Sequence, residues 1–122
     1  MTAVLLVDDF RVQREVLKVY LMARPITVLE ATDGQDALAV IRARRPDVVI
    51  CDMRMPKLDG PGLCRALAAE PSFRKIPVIM LTAEKDEASR QACLDAGASV
   101  VLTKPVVPAA LLAALDPFLP RP

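Results

Sequence analysis

The chain predicts an α/β fold: a doubly wound, five-stranded parallel sheet with five helices. Three observations carry this expectation. Short apolar runs recur at residues 3–7, 26–30, 48–52, 77–81 and 99–103 of the 122. The central runs are rich in β-branched residues and do not alternate with polar ones, as expected of strands buried on both faces. Between the runs lie stretches with helical apolar spacing and connections of a few residues, the pattern of helices crossing over a parallel sheet.

The first run, Ala3-Val4-Leu5-Leu6-Val7, stops on Asp8-Asp9. Residues 10–22 then predict a helix whose apolar face is Val12, Val16, Val19, Tyr20 and Ala23, with Arg11, Arg14, Glu15 and Lys18 between them. Pro25 closes it, and residues 26–30 form a second short strand. Asp33-Gly34 is a turn with Asp33 as N-cap of a second helix through Ala37, Leu38 and Ile41. This helix ends in Arg42-Ala43-Arg44-Arg45-Pro46, read as a solvated cationic helix end, with a nucleic-acid patch as the alternative.

Val48-Val49-Ile50-Cys51 is the run on which the rest is organised, and it stops on the single carboxylate of Asp52. A loop punctuated by Pro56 and Gly60 leads to a third helix with Leu63, Cys64 and Leu67 facing inward. After a longer connection over residues 70–76, the run 77–81 ends on Thr82. A fourth helix follows, with small residues Ala88, Ala92, Cys93 and Ala96 expected on its buried face and Gly97 as C-cap. A helix that removes so little apolar area from water is weakly held and suited to movement. Residues 99–103 end on Lys104-Pro105, Pro108 opens a last helix through Leu111, Leu112 and Leu115, and Pro117, Pro120 and Pro122 stop regular structure.

The length suits one domain with a core of its own, expected over residues 1–119 with a short Pro-containing tail at 120–122. Hydrophobic residues make up 53% and aromatics only 3%, so aliphatic side chains must build that core. A net charge of +1 and the absence of long apolar stretches predict neither direct nucleic-acid binding nor a membrane span. The start of the chain runs into a strand without the pattern of a signal peptide. Cys51, Cys64 and Cys93 are widely spaced, in no CxxC pattern, and are read as reduced core residues suited to the cytoplasm. There is no histidine, which removes the commonest general base and metal ligand.

In an open α/β sheet, ligands bind outside the carboxyl ends of the strands. Asp8, Asp9, Asp52, Thr82 and Lys104 all fall at such ends. Were the three carboxylates to meet at about 4–5 Å, each ionised pair would repel by roughly 3–4 kcal/mol at an effective dielectric near 20. Three such pairs rival the whole stability of a small domain, about 5–15 kcal/mol. Lys104 supplies one counter-charge, and a hard divalent cation such as Mg²⁺ suits an all-oxygen site. Taken singly, the acid pair could be a helix start, Thr82 a helix cap and Lys104-Pro105 a surface turn.

VLLVDDF, VVICDMRMPKLDG, VIMLTAEKDE and DAGASVVLTKP, in this order and spacing, resemble the response-regulator receiver domain, the CheY-like family of two-component signalling. The resemblance covers residues 4–119 and implies a flavodoxin-like sheet of order 2-1-3-4-5, which periodicity alone does not give. It implies a phosphoacceptor switch rather than an enzyme. Asp52 would accept a phosphoryl group from a histidine kinase or histidine phosphotransfer protein, and a downstream target protein or output domain would read the result. Asp8, Asp9 and Asp52 with the backbone carbonyl of Arg54 would hold Mg²⁺, Asp9 more directly than Asp8. Lys104 and the Thr82 hydroxyl would meet phosphoryl oxygens, and the Lys104-Pro105 bond would be cis. Arg54 and Glu84, two residues beyond Asp52 and Thr82, would tune hydrolysis of the acyl phosphate.

The switching face implied is the fourth helix, last strand and last helix, through which a homodimer could also form. Here the chain departs from its relatives. Val101 stands where many have an aromatic that turns inward as Thr82 moves, and Val106 replaces a frequent Phe. A smaller, backbone-led change over residues 88–101 is the expectation. Other classes fit less well. A phosphohydrolase of the haloacid-dehalogenase type would place an acid where Arg54 stands, and a flavodoxin-like cofactor binder would need a phosphate loop where Asp8-Asp9 repels phosphate. A degenerate receiver used only for interaction would have lost an acid or the lysine.

Overall fold

A computed structural model of the protein describes residues 1–120; Arg121 and Pro122, part of the expected tail, lie outside the described residues. Strands and helices alternate as β1 (Thr2–Val7), α1 (Arg11–Leu21), β2 (Ile26–Ala31), α2 (Gly34–Arg44) and β3 (Val48–Asp52). They continue as α3 (Gly60–Ala68), β4 (Val78–Thr82), α4 (Glu87–Ala96), β5 (Val100–Thr103) and α5 (Pro108–Leu115), with a 3-10 turn at Asp116–Phe118. All strand pairs are parallel, in the order β2-β1-β3-β4-β5. The expected fold class and strand order are therefore the observed ones.

Alternate strand residues feed two apolar layers. Leu5, Val7, Val49, Cys51, Val78 and Met80 pack with Ala37, Ile41, Leu63, Cys64, Leu67 and Cys93 on the side of α2, α3 and α4. Val4, Leu6, Val48, Ile50, Ile79 and Leu81 pack with Leu17, Leu21, Leu111 and Leu115 on the side of α1 and α5. Every residue of β3 and β4 is buried, which is why these runs read as unbroken apolar sequence. Each fully buried Leu, Ile or Val contributes about 1.5–3 kcal/mol of transfer free energy.

Asp33, Asp59 and Asp86 cap α2, α3 and α4 by accepting hydrogen bonds from the backbone N–H groups of Asp36, Gly62 and Ser89. Gly97 ends α4 at φ 121°, a conformation that side chains resist. The three cysteines are free and buried as expected. Burial pushes the Cys64 thiol up to about 12 and Cys51 well above its ordinary range, so both are held as inert thiols.

Two helix faces differ from expectation. On α1 the buried residues are Leu17 and Leu21, while Val12 is 77% and Val19 64% exposed and Val16 also faces water. Tyr20 packs partly against the core and Ala23 is exposed. Both stripes have helical spacing, and the bulkier leucines, which bury more apolar area than valines, take the side facing the sheet. Arg14 and Lys18, flanking that side, reach the Glu30 carboxylate on β2 at 3.1 Å each. On α4, Cys93 and Ala96 are buried but Ala88 and Ala92 are exposed, so the helix presents only its C-terminal half to the core. Its hold is weaker still than the sequence implied.

Gly60 opens α3 against the end of β3. A Cβ there would lie 2.7 Å from the Asp52 carbonyl oxygen and 2.4 Å from Met80 Sδ. The methionine can move, but the carbonyl is part of the strand. Gly60→Ala is expected to destabilise the fold by about 1–3 kcal/mol, read from the shift in urea midpoint.

Candidate functional site

Strand register carries the site. Val7 pairs with Cys51, so the next residues, Asp8 and Asp52, leave the sheet side by side. Asp52 pairs with Leu81, and Thr82 with Thr103, which brings Thr82 and Lys104 to the same edge. The backbone N–H of Lys104 donates to the Thr82 carbonyl at 2.7 Å, and the Lys104-Pro105 bond is cis.

Carboxylate oxygens of Asp8, Asp9 and Asp52 all lie within 4.8 Å of one another. Asp8 is 1% and Asp52 6% exposed; Asp9 faces solvent. Lys104 Nζ donates to Asp52 Oδ1 at 2.8 Å, bridging residues 52 positions apart. Three carboxylates against this one ammonium leave two negative charges in a largely buried space. Burial, and after it the nearby Asp52 and Asp9, raises the Asp8 carboxyl above its ordinary range, against the opposing Phe10 N–H and Lys104. Asp8 Oδ1 accepts from Phe10 N at 2.8 Å, but the buried Oδ2 has no partner among the described residues.

A buried orphan acceptor beside two further carboxylates is an oxygen donor set with excess negative charge. It fits a small divalent cation of the Mg²⁺ class. Around its rim, the buried Thr82 Oγ accepts from Glu84 N at 3.0 Å. Arg54 and Glu84 form an ion pair that joins the loop after β3 to the loop after β4. All the side chains named from the sequence thus gather at one end of the sheet except Val101. That residue is half-buried on β5, packed against the α2–α3–α4 layer.

The family described as "Response regulator receiver domain" matches residues 4–116. The chain belongs to the response regulator receiver domain family. Response regulator MprA of Mycolicibacterium vanbaalenii is 41% identical over 118 residues, covering 97% of this receiver domain and 50% of that protein. This receiver domain therefore spans about half the length of that relative. The chemotaxis protein CheY4 of Vibrio cholerae superposes with a TM-score of 0.89 at 34% identity, covering 98% of this chain and 99% of that one. The receiver domain of sensor histidine kinase PA1611 from Pseudomonas aeruginosa, solved with a magnesium ion coordinated in its active-site cleft, superposes at 0.87. It is 32% identical and covers 96% of each chain. Such domains serve two-component signalling as switches rather than as classical enzymes. Among the described residues no helix is long and apolar enough to cross a membrane.

The receiver domain holds two polar residues at its site that sequence reasoning did not single out. Arg14, on α1, donates from Nη1 to the Asp8 carbonyl at 2.8 Å and from Nε to Glu30 at 3.1 Å. Its guanidinium pins the acidic loop to the helix beside it. Ser89, on α4, holds its Oγ 2.5 Å from Glu84 Oε2 and 3.0 Å from Asp86 Oδ2, and its single proton goes to the nearer, Glu84. Neither belongs to a motif, and the only signal is a polar residue one helical turn into an element, which is common everywhere.

Proposed function

We propose that this receiver domain is a Mg²⁺-dependent phosphoacceptor with Asp52 as the phosphorylated residue. The supporting observation is the buried Asp52 carboxylate, held by Lys104 at 2.8 Å beside two further acids. The donor class is a phosphohistidine on a histidine kinase or phosphotransfer protein. An Asp52 oxygen forms the bond to phosphorus as the phosphorus–nitrogen bond breaks, and its electron pair returns to the imidazole. Oδ1 is engaged by Lys104, so the other oxygen is the one free to attack. Asp8, Asp9 and Asp52, with the Arg54 carbonyl, would hold the Mg²⁺. When bound, the cation supplies charge neutralisation for phosphoryl oxygens. Lys104 then turns its ammonium to one phosphoryl oxygen, and the Thr82 hydroxyl donates to another.

The product carries a charge approaching −2 where a carboxylate stood. Thr82 is already bonded to Glu84 N, so its movement draws on the loop that leads into α4. The face formed by α4, β5 and α5 would carry the change to a downstream target or output domain, and would be the surface of any homodimer. The test is direct. Incubation with Mg²⁺ and acetyl phosphate is expected to add one phosphoryl mass to the intact chain, mapped to the peptide holding Asp52. No gain, or a gain mapped elsewhere, overturns the assignment.

Arg54 and Glu84 are the residues proposed to set how long the acyl phosphate lasts. The Arg54 side chain is 74% exposed, so its pair with Glu84 adds little to stability and its value lies in covering the mouth of the site. Arg54→Ala is expected to shorten the lifetime by about two- to fivefold. Decay of the phosphorylated mass measures it, and an unchanged half-life defeats the idea.

A further inference from the structure

The rim of the acidic site is tied to α4 by a continuous line of side chains. Arg54, two residues past Asp52, pairs with Oε1 of Glu84. The other carboxylate oxygen of Glu84, Oε2, accepts from Ser89 Oγ at 2.5 Å. Ser89 lies in the first turn of α4, and its backbone N–H is the one capped by Asp86 at 2.8 Å. Glu84 thus spans from the loop after β3 to the start of the helix with the smallest buried face in the fold. Its own backbone N–H rests on the Thr82 hydroxyl at 3.0 Å.

We infer that Arg54, Glu84 and Ser89 form a polar relay that reports the state of Asp52 to the first turn of α4, in the place of the aromatic that position 101 lacks. This rests on Asp52 being the phosphoacceptor. Two of the three attachments of Glu84 face the site. A phosphoryl group competes for the Arg54 guanidinium, since it offers more charge and the same two-pronged geometry as a carboxylate. The Thr82 hydroxyl can donate to a phosphoryl oxygen while still accepting from Glu84 N, so its movement pulls Glu84 away from Arg54. Phosphorylation therefore releases Glu84 from Arg54, and the start of α4 loses its tie to the β3 side of the molecule. Val101 cannot supply this route. It is a stiff β-branched side chain in an apolar layer, with no polar atom to exchange partners.

Coupling of this kind is reciprocal, so cutting the relay at the helix must be felt at the site. Ser89→Ala removes the hydroxyl and keeps the backbone cap, so the helix still forms. Hydrogen exchange over residues 86–92 of the whole chain, with and without Mg²⁺ and beryllium fluoride as the phosphoryl mimic, reads the result. The mimic is expected to raise exchange of these amides about fivefold in the unaltered chain, the equilibrium equivalent of one ordinary hydrogen bond. In Ser89→Ala the amides are expected to exchange faster from the outset, with the response to the mimic falling to less than about twofold. Gln91→Ala is the control: it loses a bond of equal kind, Gln91 Nε2 to Asp95 at 2.7 Å, within α4 and away from the relay. It should keep the full response.

An equal response in Ser89→Ala and the unaltered chain overturns the relay, as does a response lost equally in Gln91→Ala. Acetyl phosphate labelling separates the two levels of failure. With no phosphoryl mass gained, the phosphoacceptor reading falls and the relay with it. With Asp52 labelled and α4 unresponsive to Ser89→Ala, the relay alone falls.

Discussion

Asp52→Asn is expected to abolish phosphoryl labelling by acetyl phosphate, from one added group per chain to none, while the fold persists. The substitution keeps the shape of the side chain and an oxygen for Lys104, whose Nζ lies 2.8 Å from Asp52 Oδ1. It removes the anionic nucleophile, and an amide oxygen is far too weak to displace phosphate. Loss of the nucleophile in covalent catalysis costs orders of magnitude rather than a few-fold, so the intact mass should show no added group. The stability change is small because two repulsions, with Asp8 and Asp9, are relieved as one shorter attraction, to Lys104, is lost. Labelling that survives in the variant would place the acceptor on another residue.

Asp8→Asn is expected to raise the stability of the metal-free chain while weakening its Mg²⁺ affinity by about tenfold or more. Asp8 is 1% exposed and its neighbours are carboxylates. The amide still accepts from Phe10 N, so the loop keeps its turn. Each carboxylate pair near 5 Å costs about 3 kcal/mol at a dielectric of 20, less the attraction of Lys104 and the screening of exposed Asp9, for a net gain of about 1–2 kcal/mol. That corresponds to a melting temperature higher by about 4–8 °C for a domain of this size.

The pH dependence has a definite sign. Burial, then the neighbouring acids, raises the Asp8 carboxyl above its ordinary value of 3.8, so the folded chain binds that proton more tightly than the unfolded chain. Relative to the neutral form, the penalty is absent below 3.8 and grows as pH rises through the raised value. The stabilisation by Asp8→Asn should therefore be full at neutral pH and shrink as pH falls toward 3.8. Melting curves at both ends, with and without Mg²⁺, check it. A variant that binds Mg²⁺ as tightly as the unaltered chain would remove Asp8 from the metal site.

Much of this protein is legible before any coordinates. The runs ending at Val7, Asp52 and Thr82 announce strands, because a strand buried on both faces cannot alternate. Asp33 and Gly97 announce a helix start and a helix end, because capping and positive φ are local matters. Asp8, Asp9, Asp52, Thr82 and Lys104 stand at strand ends for the same reason, and parallel strands put their ends on one side. What stayed hidden was rotational or distant. Val12 and Val19 have as good a helical spacing as Leu17 and Leu21, and only packing against the sheet decides which stripe is buried. Arg14 on the Asp8 carbonyl and Ser89 on Glu84 are contacts between elements with no trace in spacing.

Local order along the chain was enough to determine the elements, their alternation and the kinds of group at the strand ends, since hydrophobic period and capping act over a few residues. Which stripe of α1 is buried, how little of α4 meets the core, and which side chains bridge one loop to the next were decided only when the elements packed. Those outcomes depend on relative rotation and on contacts made across the sheet, and no periodicity along a single element encodes either.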